Sequence, residues 1–219
     1  MKNIDPEGKS TKVVKNDDDT YTVFGGDLND GDLHIYEYTK DKNGNYSKGN
    51  SIGISTSTTT FYNSDTKKWG GIIKLNDMSG QTFLGEIFGN KISLADYMQN
   101  AHGKELYDFK YSNGTIDKSD DGQNIYRGMP VGKSRNGETI YSSARDVGNI
   151  AAGYMAGSNG ISWRSTRIAF DFLQSIQDKR PSIEGMSSRN AQYLGWCIGN
   201  YNNSPRQQSR NTIKSLKLW

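Results

Sequence analysis

Asp108 and Asp146 are the two acidic residues whose neighbours suit chemistry. Asp108 stands between Tyr107 and Phe109, and Asp146 shortly precedes Gly148 and Asn149. Carboxylates held in unlike environments divide into general acid and general base or nucleophile, because an apolar surround disfavours the charged form. Glycoside hydrolysis needs such a pair, and their separation sets the stereochemistry. Asn149 falls about one helical turn after Asp146, so both side chains share a face that can hold a water, an amide or a hydroxyl. Asp146 also has a structural reading, since it lies three residues after Ser143, where a helix start leaves N–H groups without partners. Arg127 and Arg167 are candidates for gripping phosphate or carboxylate in bidentate fashion, although solvated surface is the ordinary place for an arginine. Tyr126, Tyr154 and Trp163 offer stacking faces for sugar rings. Lys110, Lys104 and His102 surround Asp108 in sequence and make an alternative, phosphate-directed set of the kind a metal-independent ribonuclease uses.

The rest of the composition narrows these options. One cysteine, Cys197, forbids an internal disulfide and any cysteine-based zinc cage. Cys197 itself reads as a small core residue on an apolar helix stripe. Two histidines far apart, His34 and His102, exclude a histidine-rich metal centre. Neither a metal nor an organic cofactor is expected, and no P-loop, GxGxxG, HExxH or GxSxG motif occurs. Residues 1–126 hold 14 Lys and Arg against 19 Asp and Glu, whereas residues 127–219 hold 13 against 5. A basic back half suits an anionic substrate or an acidic partner, or simply attraction between the halves. No apolar run approaches the roughly 20 residues of a membrane span. No signal-peptide pattern opens the chain, so it reads as a soluble protein with no export address of its own.

The elements that must position these residues follow from periodicity and turn signals. At 219 residues the chain suits one domain, or one with a small appendage, and 24 aromatics offset a mean hydropathy of −0.81 by supplying a bulky core. Residues 1–20 are polar and read as a linker. Residues 21–90 read as β-rich, with runs at Tyr21–Phe24, His34–Tyr38 and Ser51–Ser55 and a hairpin turn over Lys40–Asn45. Residues 91–219 read as a helical portion packed into one unit with 21–90. Ser93 and Ser143 are helix caps, the second opening a helix to about Ala156. Residues 111–124 read as a loop, Ile125–Met129 as a short strand, and Arg135–Gly137 as a second hairpin turn. Further helices are expected over Trp163–Gln177, with Ile168, Phe172 and Ile176 on one face, and from Ser187, with Ala191, Leu194 and Ile198 as its stripe. Gly153 and Gly157, four apart, permit close approach of another backbone. An amphipathic stretch over about 206–217 ends the chain. The expected class is α+β, an N-terminal antiparallel β region followed by a mainly helical portion.

Two segments resemble known families. Asn3-Ile-Asp-Pro-Glu-Gly8 is similar to the N-x-I-D-P-x-G segment that ends the core of Rhs (YD-repeat) proteins and precedes a variable toxin. Met98–Lys110 and Arg145–Tyr154 resemble the N-x-G-x-W-D-Y-K and D-x-G-N-x-x-x-G segments of the polymorphic toxin type 44 family. The chain departs from that pattern at Leu106-Tyr107 and in having no histidine beside the second segment. The resemblance implies an interbacterial toxin, carried to a target bacterium as the C-terminal part of a larger secreted effector, released from an Rhs core shell and neutralised by a cognate immunity protein. On this reading Asp108, Asp146 and Asn149 are catalytic, and Arg127, Tyr154, Trp163, Arg167 and Lys110 bind substrate. The favoured activity is hydrolysis of an envelope glycan in the periplasm, peptidoglycan or lipid-linked, without stable membrane insertion. Hydrolysis of RNA in the cytoplasm is the alternative, and a non-enzymatic binding module the third. Tyr126–Pro130 also resembles the first-strand arginine of ADP-ribosyltransferases, but the Ser-Thr-Ser element lies upstream and the Gln/Glu-x-Glu element is missing.

Overall fold

The computed structural model describes residues 10–90, 92–102, 105–112, 125–179, 183 and 185–204. The Asn3–Gly8 segment, Lys104, most of the expected 111–124 loop and the 206–217 stretch lie outside them. The fold is α+β, as the residue patterns predict.

Seven strands close a barrel in the order β1 (Thr11–Lys15), β2 (Tyr21–Gly25), β7 (Ile72–Ile73), β8 (Gly128–Lys133), β9 (Thr139–Ser143), β4 (Tyr46–Ser55) and β3 (His34–Lys40), with β3 returning to β1. A separate pair, β5 (Tyr62–Asn63) and β6 (Lys68–Trp69), lies outside the barrel. Alternation fills the interior: Val13, Tyr21, Val23, Ile35, Phe61, Ile73 and Tyr141 pack together. The turn over Asp41–Asn45 forms where expected. The Asp41 carboxylate accepts the N–H groups of Asn43 and Asn45 at 2.8 Å, and Gly44 takes φ 86°, a conformation glycine adopts without strain.

The sheet differs from an antiparallel region in three places. β1 pairs with β3, β7 with β8 and β4 with β9 in parallel, so the barrel is mixed. Closure depends on β8 and β9, which come from the middle of the chain, and on β1, which lies inside the expected linker. The strand expected at Ile125–Met129 starts at Gly128.

The helices are α1 (Ser79–Gly89), α2 (Leu94–Asn100), α3 (Phe109–Ser112), α4 (Ala144–Ser158), α5 (Trp163–Asp178) and α6 (Met186–Asn203). α1 falls in the segment read as β-rich. Its Phe83 and Leu84, about one turn before Ile87, face the helical core with it. Both expected caps form, Ser93 accepting from the Asp96 N–H at 3.1 Å and Ser143 from the Asp146 N–H at 3.3 Å. α4 is the central element, with ten of its fifteen residues buried. Tyr97, Phe109, Met129, Val147, Ile150 and Tyr154 belong to the core around it.

α4 meets α6 backbone against backbone. A Cβ on Gly153 would stand 1.9 Å from the Gln192 carbonyl oxygen, and one on Gly195 would stand 1.9 Å from that of Ile150. Gly157 and Gly199 face Trp196 and Tyr154 in the same way, at 2.3 Å. The inward stripe of α6 is therefore Ser187, Ala191, Gly195 and Gly199, one small residue per turn. Leu194, expected there, is exposed, and Ile198 is half-buried.

This contact reverses the usual sign of a glycine-to-alanine change. Alanine is favoured in a helix by about 1 kcal/mol, so Gly85→Ala in α1, where an added Cβ meets nothing within 4 Å, is expected to raise Tm. Gly195→Ala is expected to cost about 1–3 kcal/mol through overpacking and to lower Tm by several degrees. Thermal melts of the two variants check the pair.

Candidate functional site

The start of α4 is built on a buried ion pair. The Asp146 carboxylate is fully buried and accepts from Arg145 Nε at 2.7 Å, with the Ser57 hydroxyl at 3.5 Å. Arg145 donates onward to the carbonyls of Thr59 (2.8 Å), Thr60 (3.3 Å) and Tyr62 (3.0 Å) and to the Tyr126 hydroxyl (3.2 Å). Burial pushes the Asp146 carboxyl up from its usual range, against the pull of Arg145 and of the Thr60 and Ser57 hydroxyls. Thr60 Oγ1 accepts the Ser143 N–H at 3.0 Å, the role that the N3 side chain fills in a complete capping box. Within Ser55–Thr60, the Ser57 hydroxyl and the Thr59 and Thr60 carbonyls meet the pair directly, while Ser55 bonds the Leu33 carbonyl at 3.1 Å and Thr56 the Ser142 hydroxyl at 3.0 Å. The Asp146 carboxylate has no solvent-exposed surface in this enclosure.

α3 is positioned by a second arginine. Arg127 donates to the carbonyls of Lys110 and Phe109, both at 3.2 Å, with its guanidinium 5.2 Å from the Phe109 ring centroid. These two carbonyls belong to a helix of four residues with few bonds of its own, so Arg127 holds the segment that carries Asp108 and Lys110. Burial lowers the Arg127 pKa, partly offset by Asp77.

A cleft of roughly 460 Å³ opens between these supports. α4 gives it a floor of Arg145, Gly148, Asn149 and Ala152, and α3 with its lead-in gives Tyr107, Asp108, Phe109 and Lys110. The wall is completed by Asp65 from the β5–β6 turn, Gln174 from α5 and Ser188 from the first turn of α6. Asp108 is 6% exposed while Asp65 is exposed, so the cleft holds two carboxylates in unlike surroundings. Tyr97 lines the inner end. Burial, with a smaller contribution from the Asp108 charge, raises its phenol far above the ordinary range and keeps it protonated, and its hydroxyl donates to the Gly148 carbonyl at 3.5 Å. Asn149 is oriented from behind. Arg167 Nη1 donates to Gln192 Oε1 at 2.6 Å, and Gln192 Nε2 donates to Asn149 Oδ1 at 3.4 Å.

Of the residues chosen from sequence, Asp108, Lys110 and Asn149 thus share one cleft. Asp146, Arg127 and Arg167 stand behind it as supports. Tyr154 is a core residue whose hydroxyl donates to the Phe88 carbonyl at 3.1 Å. Trp163 packs on Tyr193, ring centroids 5.0 Å apart, away from the cleft. Tyr126 is committed to Arg145, and His102 is exposed outside the lining. Asp65, Tyr97, Gln174 and Ser188 carry no local sequence signal for this site. Asp65 reads as part of an ordinary Asn-Ser-Asp turn, with its N–H bonded to Asn63 Oδ1 at 2.9 Å. Among the described residues no cluster of three or more metal-ligating side chains occurs. No family model, curated protein or solved structure matches the chain.

Removing one partner of a buried ion pair costs about 3–5 kcal/mol. Asp146→Ala is therefore expected to lower Tm by more than ten degrees and to loosen the 56–62 loop, measured by thermal melts and hydrogen exchange of that loop. A variant that keeps the wild-type Tm would show that the pair does not hold α4 to the barrel.

Proposed function

We propose that the chain is a hydrolase toxin that attacks a glycan of the bacterial envelope, with the cleft around Asp108 as its active site. The observation that carries this reading is the convergence of Asp108, Lys110 and Asn149 on one cleft, where Asp65 adds a second carboxylate. In the proposed reaction one carboxyl group donates a proton to the leaving oxygen. The other activates the attacking water or forms the covalent intermediate that water then resolves. In the proposed division of roles Asp108, on the inner wall beside Tyr97 and Phe109, is the proton donor, and Asp65, from the β5–β6 turn, is the partner carboxylate. The amides of Asn149 and Gln174 and the Ser188 hydroxyl match the hydroxyl and acetamido groups of an amino-sugar polymer, and Lys110 can meet its acidic substituents. Delivery from a larger Rhs effector, action in the periplasm and capture by an acidic immunity protein belong to the same proposal. A basic back half and Lys110 beside Asp108 support RNA as the second substrate class.

Asp108→Asn is expected to abolish toxicity on expression with a signal peptide while Tm stays within a few degrees of wild type. Asn149→Ala should reduce toxicity by about 10²–10³-fold in dose, the range for loss of one positioned polar group. Growth after induction, with and without the signal peptide, reads both. Killing confined to the cytoplasm with loss of RNA would transfer the cleft to the nuclease reading, and a toxic Asp108→Asn protein would remove it from either.

A further inference from the structure

α5 has its polar side in and its apolar side out. Thr166 and Arg167 are buried, while Ile168 and Phe172, one turn apart, are 63% and 65% exposed, with Leu173 beside them at 41%. Ile168 and Phe172, expected to pack inward, therefore face solvent. The inward positions go to Arg167, bonded to Gln192 and Asp171, and to Trp163, which packs on Tyr193 and Trp196 of α6. α6 exposes apolar groups of its own, Met186 at 70%, Tyr193 at 49% and Tyr201 at 55%. Arg164, Lys179 and Arg189 are exposed on the same two helices and their connection. Among the described side chains of residues 159–204 the one acid is Asp171, which pairs with Arg167.

We propose that this face docks on an anionic lipid surface. Exposed aliphatic and aromatic groups at this density mark an interaction site on a water-soluble surface. Here Ile168 and Phe172 share one outward face of an amphipathic helix, the arrangement that sinks into the boundary between headgroups and acyl chains. Tyrosine favours that depth, and the flanking cations meet the negative surface charge. No described helix is long and apolar enough to cross a membrane, which fits a helix lying in the interface. Docking stands apart from the hydrolase reading, but the two meet at one residue. Gln174, two positions after Phe172 and on the inner side of α5, lines the cleft. If the hydrolase reading holds, docking through the outer side of α5 keeps the cleft, on the inner side of the same helix, within one helix diameter (~10 Å) of the membrane surface, which favours the lipid-linked member of the glycan class.

The test is co-sedimentation of the whole chain with vesicles of phosphatidylglycerol and phosphatidylethanolamine, and with phosphatidylcholine vesicles as control. Wild type is expected to pellet with the anionic vesicles and to be released by high salt. Ile168→Asp and Phe172→Asp, each at an exposed position, are expected to lower partitioning by at least about tenfold, whereas Phe172→Leu retains it. Asp108→Asn is expected to bind as wild type does, so loss of toxicity in that variant with intact binding separates the site from the surface. Failure of wild type to pellet, or binding unchanged in Ile168→Asp, overturns the proposal. So does a dimer in size-exclusion chromatography that Ile168→Asp dissociates, because a second copy would then own the face.

Discussion

Two helices touch through their backbones, and most of the fold is arranged around that contact. Ordinary helix packing keeps axes 8–10 Å apart because side chains intervene. Gly153 and Gly157 on α4, against Gly195 and Gly199 on α6, remove those side chains, so each backbone fills the space that a Cβ would need. Contacts this close repay the helical cost of four glycines through dispersion along the whole interface. They also fix the register of α6 on α4 within a fraction of a turn, because a slip would bring Gln192 or Trp196 against the wrong carbonyl. Register in turn places Gln192 behind Asn149 and Ser188 at the mouth of the cleft. The geometry of the candidate site is thus inherited from glycines that do not touch it.

The other end of α4 is tied by charge rather than by close packing. Arg145 and Asp146 are adjacent in the chain and both are held by protein groups: the carboxylate is buried among hydroxyls, and the guanidinium bonds three carbonyls and a phenol. Desolvating such a pair is expensive, and an apolar replacement would often be as stable. What the pair adds is direction. The fork of the guanidinium has one arrangement that meets the carbonyls of residues 59, 60 and 62 together, and this joins the first turn of α4 to the loop between β4 and β5. Beside the apolar contact through Met129 and Val131 of β8, the barrel and the helical half therefore also meet at a polar joint whose partners are all specified.

Local signals in the sequence became local structure. Ser93 and Ser143 cap helices because a cap needs only the three residues that follow it, and Asp41 with Gly44 closes a hairpin for the same reason. Asp108 and Asn149 stood out as candidates because their immediate neighbours are unusual, and the fold brings both to one cleft. The features that escaped are those decided by distant partners. Thr11–Lys15 looks like linker until a parallel β3 is supplied, and the mixed barrel order depends on pairings more than 80 residues apart, such as Ile54 with Ile140. Asp65, Gln174 and Ser188 lie on three separate elements and gain meaning only where these converge. The apolar stripe of α5 was legible as a stripe, but periodicity says which residues share a face and is silent on whether that face meets the core. Arg167 decided that question by turning inward to reach Gln192.

The cleft exists where it does because α4 is asymmetric in side-chain size. Its core-facing positions include Val147, Ile150, Tyr154 and Met155, which fill the interior on the side of α1 and β8. On the stripe Arg145, Gly148, Asn149 and Ala152 the residues after Arg145 are small or short, and Arg145 bends away into its carbonyl cage. An added Cβ at Gly148 would meet Phe109 only at 3.9 Å, an ordinary contact. Gly148 is thus not forced by crowding, as Gly153 and Gly157 are. Its lack of a side chain leaves room between α4 and the segment that carries Asp108, and exposes the Gly148 carbonyl to the Tyr97 hydroxyl. A helix glycine that sterics do not require, set between two supported polar walls, is better accounted for by the space it leaves open than by the packing it permits.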